Sequence, residues 1–285
     1  MNFLYFALVL VFSMFFMHPV YLAISLLCSA VYSVRLCGGE GLRAQMKFIL
    51  PMTLFIALIN PAFSHAGVTI LAYLPSGNPL TLESIVYGVA AAAMLAAVII
   101  WFSCFNAVMT TDKFVYLFGR VIPAMSLVLS MTFRLVPRFK ARFREVNDAQ
   151  RCIGRDVSEG SIAERLKKAA SIVSIMITWS LESSVETADS MKSRGYGLSG
   201  RTAFSIYRLD GRDKCALVWL LLCGFYIVCG WAVGGMEFHY YPTIFGAQSG
   251  AFQISFMLAY LLLCLTPLIL DATEDEKWKH LRSAA

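Results

Sequence analysis

Charged residues are scarce in this chain, and their scarcity excludes an ordinary soluble domain. Only 15% of the 285 residues are Asp, Glu, Lys or Arg, whereas a soluble domain carries about 25%. Residues 48–112 and 215–276 contain no Lys or Arg. With 58% apolar residues and a mean hydropathy of +0.67, the composition predicts an integral membrane protein.

The sequence also lacks the residue patterns that support chemistry. Its eight cysteines form no CxxC pair, and its four histidines have no spacing typical of metal ligands. It has no Walker motif and no catalytic triad, so we expect no catalytic residue, no metal site, no cofactor and no enzymatic activity. Nucleic-acid binding is not indicated either, because acidic residues are mixed into the basic stretches and no aromatic residues interleave to stack on bases.

The basic residues that are present occupy three regions. All 24 Lys and Arg residues fall within residues 35–47, 112–214 and 271–285, and 16 of them lie between Arg134 and Lys214. Basic loops of multi-pass proteins remain in the cytoplasm. The pattern therefore predicts an all-α membrane protein with about six transmembrane helices, long cytoplasmic helices and both termini in the cytoplasm.

We accordingly divide the chain into four parts. Residues 1–111 form an N-terminal bundle of about four spans with an external loop at 61–81. Residues 112–214 are cytoplasmic, residues 215–270 form two further spans, and residues 271–285 form a cytoplasmic tail.

Some segments of the bundle leave alternatives open. Residues 3–16 and 20–34 are separated by His18-Pro19 and form either two short spans, which we favour, or one long kinked span. Val68–Tyr73 has the β-branched character of a short strand. Residues 114–133 are interrupted by Arg120 and Pro123, which favours an interfacial amphipathic helix over a span.

Two helices are predicted in the long cytoplasmic part. Pro137 opens or kinks a charged helix that ends at Gly154. Ser161 and Glu164 have the spacing of a capping box, and nothing breaks the following helix until Gly195. That second helix has 33 residues and a length of about 50 Å.

One face of the second helix carries apolar residues at its start and small or hydroxylated residues near its end. Such a stripe predicts close packing along another helix. It consists of Ile162, Leu166, Ala169, Val173, Met176, Ser180, Ser183, Thr187 and Met191. Trp179 is expected to be a packing anchor.

Both cytoplasmic helices end in a short cationic signature before a glycine, "DAQRCIGRD" at 148–156 and "ADSMKSRGYG" at 188–197. One interpretation is helix termination, with cations offsetting the negative end of the helix dipole. The other is docking, in which an arginine at a helix end pairs with a carboxylate of a partner protein. The repetition after 41 residues favours docking.

These signatures resemble the transmembrane T component of energy-coupling factor (ECF) transporters. The resemblance extends to "NPAFSHAGVTILAYLPSGNPLTLES", "FNAVMTTDKFVYLFGRVIPAMSLVLSM" and "SRGYGLSGRTAFSIYR" and covers nearly the whole chain. It implies a multi-pass protein of the bacterial plasma membrane with cytoplasmic coupling helices. Two of these helices each end in an Ala-Arg-Gly-like motif, and each motif docks onto one of two ABC-type ATPases. ATP is bound by those ATPases. The coupling helices also hold a membrane-embedded, substrate-binding S component.

The resemblance assigns roles to particular positions. The second motif corresponds to Ser193-Arg194-Gly195, so Arg194 is expected to reach into one ATPase. The first motif corresponds to Cys152-Ile153-Gly154 and has Ile where the family has Arg, so Arg151 or Arg155 is expected to substitute, with Arg151 preferred. The surface expected to face the S component consists of Val173, Met176, Ser180, Ser183 and Thr187.

The expected function is therefore that of a non-catalytic coupling subunit for uptake of a vitamin or other micronutrient. A stand-alone secondary transporter or channel is the alternative, but that class places charged residues inside its spans. A membrane-embedded enzyme would need clustered His, Asp or Glu at membrane depth. Glu83 and Glu237 are expected to be interfacial or external.

Overall fold

Helices make up almost all of the described structure. The computed structural model describes residues 1–64, 66–73, 79–110, 113–114, 116–117, 123–196, 198, 211–246 and 250–283. Asp112 and Arg120, residues 65 and 74–78 of the predicted external loop, and residues 197 and 199–208 of a quoted motif lie outside these ranges. The helices within them are α1 (Asn2–Phe15), α2 (Pro19–Phe63), α3 (Leu82–Val108), α4 (Pro123–Cys152), α5 (Ile162–Ser193), α6 (Gly211–Ala232) and α7 (Ala251–Ser283).

Two short antiparallel hairpins accompany the helices. One pairs β1 (Ile70–Tyr73) with β2 (Pro79–Thr81), and the other pairs β3 (Phe238–His239) with β4 (Phe245–Gly246). The predicted extended piece at 68–73 is confirmed by β1. The all-helical fold class is confirmed apart from these hairpins.

Among the described residues, four helices are long and apolar enough to cross a membrane: α2, α3, α6 and residues Ala251–His280 of α7. The fifth apolar helix, α1, has 14 residues and a length of about 21 Å, which is shorter than a hydrocarbon core of about 30 Å. The prediction of a multi-pass membrane protein is thus confirmed, whereas a direct count of long apolar helices gives fewer than six.

The chain divides into two units. The first consists of Met1–Thr110 and Leu209–Ala285 and contains α1–α3, α6, α7 and the four strands. The second consists of Thr111–Arg208 and contains α4 and α5. The four-part division made from the sequence, with its assignment of segments to membrane sides, remains a prediction.

His18-Pro19 separates α1 from α2. Pro19 is the first helical residue of α2, where its missing N–H leaves no hydrogen bond unmade. The Nδ1 atom of His18 accepts a hydrogen bond from the N–H of Val20 at 3.2 Å and so caps the helix. The structure therefore contains two helices here, the favoured alternative, rather than one kinked helix.

A reversal at Gly38 divides α2 into two arms. Gly38 has φ +73° and ψ 171°, a left-handed conformation that glycine adopts without strain. Ser33 donates a hydrogen bond to Gln45 at 3.4 Å. In a straight helix these residues would be about 18 Å apart, so the contact requires the chain to fold back. The predicted loop at 35–47 was wrong locally, because the residues flanking Gly38 on both sides are helical.

The core of the first unit is built around Trp101, which is fully buried. Its ring lies between 6.0 and 6.3 Å from the rings of Tyr5, Phe6 and Tyr32. Its indole N–H donates to the hydroxyl of Ser25 at 3.0 Å, which satisfies a polar group that would be costly to bury unpaired. These contacts join α1, the first arm of α2 and α3.

The two ends of the first unit differ in charge. Arg35 pairs with Asp275, and Arg212 pairs with Glu274 at 2.5 Å. These ion pairs bring charged residues of α2, α6 and α7 together at one end of the unit. At the other end, the hydroxyl of Tyr240 donates to the carbonyl of Met17 at 2.5 Å. The described residues among 61–81 and 233–250 contain no Lys or Arg.

Candidate functional site

The second unit is a pair of packed helices. Ile172 and Met176 of α5 are buried in it. The ring of Trp179 lies 5.5 Å from the ring of Phe139 on α4 in an edge-to-face arrangement. The expected role of Trp179 as a packing anchor is therefore confirmed.

Two arginines of α4 contact the ring of Trp179 at equal distances. The guanidinium carbons of Arg138 and Arg142 each lie 5.6 Å from the centre of its ring, within the range of a cation–π interaction. Each such contact contributes about 0.5–1 kcal/mol at an exposed site. Because Arg138 and Arg142 are one helical turn apart, they fix the longitudinal position of α4 along α5.

Helix α4 differs from its prediction at its start. It begins at Pro123 and continues through Pro137 to Cys152, so Pro137 does not open it. Part of the segment expected to form a separate interfacial helix, residues 123–133, is the first third of α4. Proline at the first position of a helix is well tolerated, which makes Pro123 a suitable starting residue.

Helix α5 follows its prediction closely and extends from Ile162 to Ser193. The capping box is confirmed: Ser161 accepts from the N–H of Glu164 at 3.4 Å, and Glu164 accepts from the N–H of Ser161 at 3.0 Å. Its length is about 48 Å.

The predicted stripe does not form one surface. Val173 and Thr187 are exposed, Ser180 and Ser183 are half-buried, and Met176 is only 7% exposed. Met176 packs between the helices, as expected of a stripe that packs along another helix, and the assignment of these residues to the S component remains a prediction. The part of α5 left open is an apolar row that shares three exposed residues with the predicted stripe and then departs from it. Its exposed members are Ile162, Leu166, Val173, Ile177, Leu181 and Val185.

The ends of α4 and α5 have the same backbone geometry. At the first, the N–H of Gly154 donates to Arg151 O and that of Arg155 donates to Gln150 O, both at 2.9 Å. At the second, the N–H groups of Gly195 and Tyr196 donate to Lys192 O and Met191 O, both at 3.1 Å. Gly154 (φ +77°) and Gly195 (φ +73°) occupy the left-handed position. Both ends are Schellman motifs.

This geometry is not restricted to the two candidate sites. Gly234, after α6, has φ +77°, and the N–H of Gly235 donates to Gly230 O at 3.1 Å in the same arrangement. No cation stands beside that turn, in the sequence "CGWAVGGME". The backbone geometry therefore indicates only that the helix ends, and any docking role must come from the side chains.

Superposing the two endings by their glycines shows which cations correspond. Arg151 occupies the same position as Lys192, three residues before the glycine, and Ile153 occupies the position of Arg194, directly before the glycine. Arg155 follows the glycine, in the position of Tyr196. All eight predicted docking residues are thus on or beside two helix ends, and Ile153, Arg155 and Arg194 are exposed.

Asp156 distinguishes the first ending from the second. Its carboxylate accepts a hydrogen bond from the N–H of Ser158 at 2.9 Å and one from Nε of Arg151 at 3.0 Å. The hydrogen bonds from Ser158, together with the charge of Arg151, hold the pKa of Asp156 below its usual value. Arg151 is therefore paired within the chain, a partner that its sequence position did not reveal.

Two cations of α5 also close the connection from α4. Lys168 donates to the carbonyls of Asp156 and Glu159, each at 2.9 Å, and Arg165 donates to the carbonyl of Val157 at 2.9 Å. They supply donors to carbonyls that no regular helix satisfies. Lys168 and Arg165 therefore stabilise the turn between the two helices.

No group of three or more His, Cys, Asp or Glu side chains among the described residues could hold a metal ion.

Comparison with known proteins gives one family and several relatives. The model of the CbiQ family, described as cobalt transport protein, matches residues 1–206. A protein of Lactobacillus helveticus named energy-coupling factor transporter transmembrane protein EcfT is 30% identical over 102 residues, which is 35% of this chain and 37% of that protein.

Two further relatives agree with the first. The EcfT 1 protein of Listeria monocytogenes is 31% identical over 99 residues, 34% of this chain and 37% of its own length. The EcfT protein of Bacillus selenitireducens is 30% identical over 112 residues, 39% of this chain and 42% of its own. The chain spans about two fifths of the length of the curated relatives it matches.

Proposed function

Since the chain belongs to the CbiQ family of cobalt transport proteins, we propose that it is the transmembrane T component of an ECF-type importer. In this role it transmits the motion of two ABC-type ATPase subunits to a membrane-embedded S component. The S component binds the vitamin or other micronutrient, and the ATPases bind and hydrolyse ATP. The names of the relatives support this proposal.

The observation that carries the proposal is the pair of exposed cationic helix ends joined by a packed helix pair. The contacts of Trp179 with Arg138 and Arg142 keep α4 from sliding along α5. A displacement applied at one end is therefore transmitted along a rod about 48 Å long. Closure of the ATPases moves both ends, and the helix pair reorients the bound S component.

The proposed topology has six crossings in the bacterial plasma membrane. Helices α3, α6 and α7 cross once each, and α2 crosses twice because its arms reverse at Gly38. The shorter α1 makes the sixth crossing together with the residues 16–18 that follow it, of which Phe16 and His18 are extended. The ion pairs Arg35–Asp275 and Arg212–Glu274 lie at the cytoplasmic face, and both termini are cytoplasmic.

Arg194 is the proposed contact of the second ending, and we favour Arg155 for the first. Arg151 was preferred from the sequence, and that preference remains untested. The structure supplies a reason to reconsider it, because the hydrogen bond from Arg151 to Asp156 would have to break before Arg151 could pair with a partner. Arg155 is exposed and makes no side-chain hydrogen bond or ion pair with the described residues.

The alternative of a stand-alone secondary transporter finds little support in the spans. Glu83 is the one charged side chain that is buried among the described residues, at 2% exposure. It lies in the first turn of α3, where Thr69 donates to it through its hydroxyl at 2.6 Å and its N–H at 3.1 Å. Glu83 therefore secures the β1–β2 hairpin, and its expected interfacial or external location remains a prediction.

Co-purification of the full chain with two co-expressed ABC ATPases tests the function. We expect a stable complex whose ATPase subunits are lost from Arg194→Glu while the chain still accumulates in the membrane. Lys167→Glu, an exposed cation of the same helix away from its end, is the matched control and should retain both subunits. Retention of both ATPases by Arg194→Glu at the control level would contradict the docking assignment.

A further inference from the structure

The strand β1 of the first unit exposes its apolar side chains. All four of its residues are exposed: Ile70, Leu71, Ala72 and Tyr73. The exposed fraction is 69% for Tyr73, and it is 66% for Val68, two residues before the strand. The mechanism proposed above gives this strand no role. Contiguous exposed apolar residues of this kind mark an interaction surface.

Polar contacts beside the strand hold these side chains outward. The hydroxyl and the N–H of Thr69 donate to the carboxylate of Glu83 at 2.6 and 3.1 Å, and the N–H of Leu82 donates to the carbonyl of Thr69 at 3.0 Å. The hydroxyl of Thr81 donates to the carbonyl of Ala66 at 3.0 Å. Because these bonds fix the backbone next to β1 and at the end of β2, the strand cannot turn its apolar side chains inward.

Apolar residues occupy both faces of the β1–β2 hairpin. Tyr73 is paired with Pro79, and its neighbour Ala72 is paired with Leu80. Successive residues of a strand point to opposite faces, so Tyr73 and Ala72 lie on different faces, and both are exposed. A protein packed against one face would leave the other face in water. A fluid apolar medium contacts both faces at once, which favours lipid as the occupant.

The strand also continues the exposed apolar surface of α2. Phe55 and Leu58 in the second arm of α2 are each 64% exposed, and Phe63 at its end is 80% exposed. The sequence contains no Asp, Glu, Lys or Arg from Phe48 to Tyr73. The apolar character of a membrane-spanning arm therefore continues into β1 without a charged interruption.

Backbone chemistry sets the depth at which the hairpin can lie. A two-stranded hairpin leaves N–H and C=O groups unpaired on its outer edges, and lipid hydrocarbon cannot satisfy them. The hairpin must therefore lie where headgroups and water reach its edges. Tyr73 fits this level, because the amphipathic ring of tyrosine is enriched at the interface between membrane and water.

We propose that β1 and Val68 lie at the boundary between headgroups and acyl chains of the outer leaflet, so that the hairpin anchors α2 and α3 to the lipid. The proposal uses the topology proposed above, which places residues 61–81 outside. An anchored first unit keeps its depth in the membrane while the proposed motion displaces α4 and α5.

Spin-label EPR of the full chain in phospholipid nanodiscs tests this proposal. The background is a chain in which serine replaces the thiols that a label can reach, Cys37, Cys152, Cys215 and Cys229. Labels at Ala72→Cys and Tyr73→Cys should both collide more often with oxygen than with a water-soluble nickel chelate. The ratio of the two collision rates should correspond to a depth of about 5–10 Å, as for a segment lying in the interface.

Two reference labels calibrate the measurement. Phe55→Cys, eight residues before Phe63 and therefore about 12 Å away along α2, should report a deeper position than either strand label. Glu237→Cys replaces an exposed residue of the other external loop and should report water. Adding Leu71→Asp should shift both strand labels toward the nickel chelate, because a carboxylate resists transfer out of water, whereas Leu71→Met should leave them unchanged.

Three results would overturn the proposal. Collision with the nickel chelate at both strand positions, at the rate found for Glu237→Cys, would show that the strand lies in water. Protection of one strand label from both reagents in the complex co-purified with an S component, with the other label in water, would show a protein partner. Equal environments at Phe55→Cys and Glu237→Cys would refute the topology itself, and the lipid anchor with it.

Discussion

The two cationic helix ends of the second unit have the same backbone and different surroundings. Both close with a glycine in the left-handed region and the same pair of hydrogen bonds. At the first, Asp156 engages Arg151 and the following turn is secured by Lys168. At the second, Arg194 is exposed at the C-cap position, directly after the last helical residue. The comparison shows that glycine explains where each helix stops, and that side chains must explain what each end binds.

The largest expected effect comes from exchanging the residue before each glycine. Arg194→Ile gives the second ending the residue found at the first and should weaken ATPase binding by roughly 30-fold or more, since removing one partner of a buried charge pair costs about 2–5 kcal/mol. Ile153→Arg should strengthen binding at the first ending. Binding of the purified ATPase to the full chain, measured by surface plasmon resonance, gives both values. Equal affinities for Arg194→Ile and the unmodified chain would show that the two ends do not differ in the way described.

A second comparison decides between the two arginines of the first ending. Arg155→Gln should reduce ATPase binding by about tenfold, whereas Arg151→Gln should reduce it by less than about twofold, because Arg151 is already paired with Asp156. The same binding measurement applies to both. The reverse order of effects would return the role to Arg151.

The glycines themselves give a smaller effect, on stability. Gly154→Ala should destabilise the helix end by about 1–2 kcal/mol, because an L-residue is strained at φ +77° while no atom lies within 4 Å of the new Cβ. Gly195→Ala should cost more, since its Cβ would lie 3.1 Å from Cδ1 of Leu198. Hydrogen exchange of the amides of Arg155 and Tyr196 measures each local loss. If Gly154→Ala proves the more disruptive of the two, the steric explanation fails.

The smallest expected effect concerns Asp156. Because its pKa is lowered in the folded protein, its ionised form stabilises the first ending above the ordinary aspartate pKa of about 3.9, and that contribution is lost as the pH falls through the folded value. Asp156→Asn should therefore lower the thermal midpoint slightly at pH 7 and leave it unchanged at a pH below the folded pKa of Asp156. A difference between variant and unmodified chain that is independent of pH would exclude this linkage.

The sequence was sufficient for features that depend on local chemistry. Ser161 and Glu164 predicted the start of α5, Gly154 and Gly195 predicted both helix ends, and His18-Pro19 predicted the division of α1 from α2. Each of these follows from a backbone donor, acceptor or dihedral angle that one or two residues control.

Features that depend on partners distant in sequence were missed. Which members of the predicted stripe are buried, Met176 among them, depends on how α4 lies against α5, and the periodicity of α5 alone does not contain that pairing. The residues around Gly38 were assigned to a loop because they are rich in glycine and charge, although all but one of them are helical.

The reversal in α2 also affects which thiols a reagent can reach. Cys37, beside Gly38, is exposed, as are Cys152 and Cys215. Cys229 is half-buried, and the other four thiols, Cys28, Cys104, Cys223 and Cys264, are buried. In the proposed topology the three exposed sulfurs face the same compartment. A membrane-impermeant maleimide would then label these three thiols in inside-out vesicles and not in intact spheroplasts, so one reversal in a helix gives the protein a chemically distinguishable inner face.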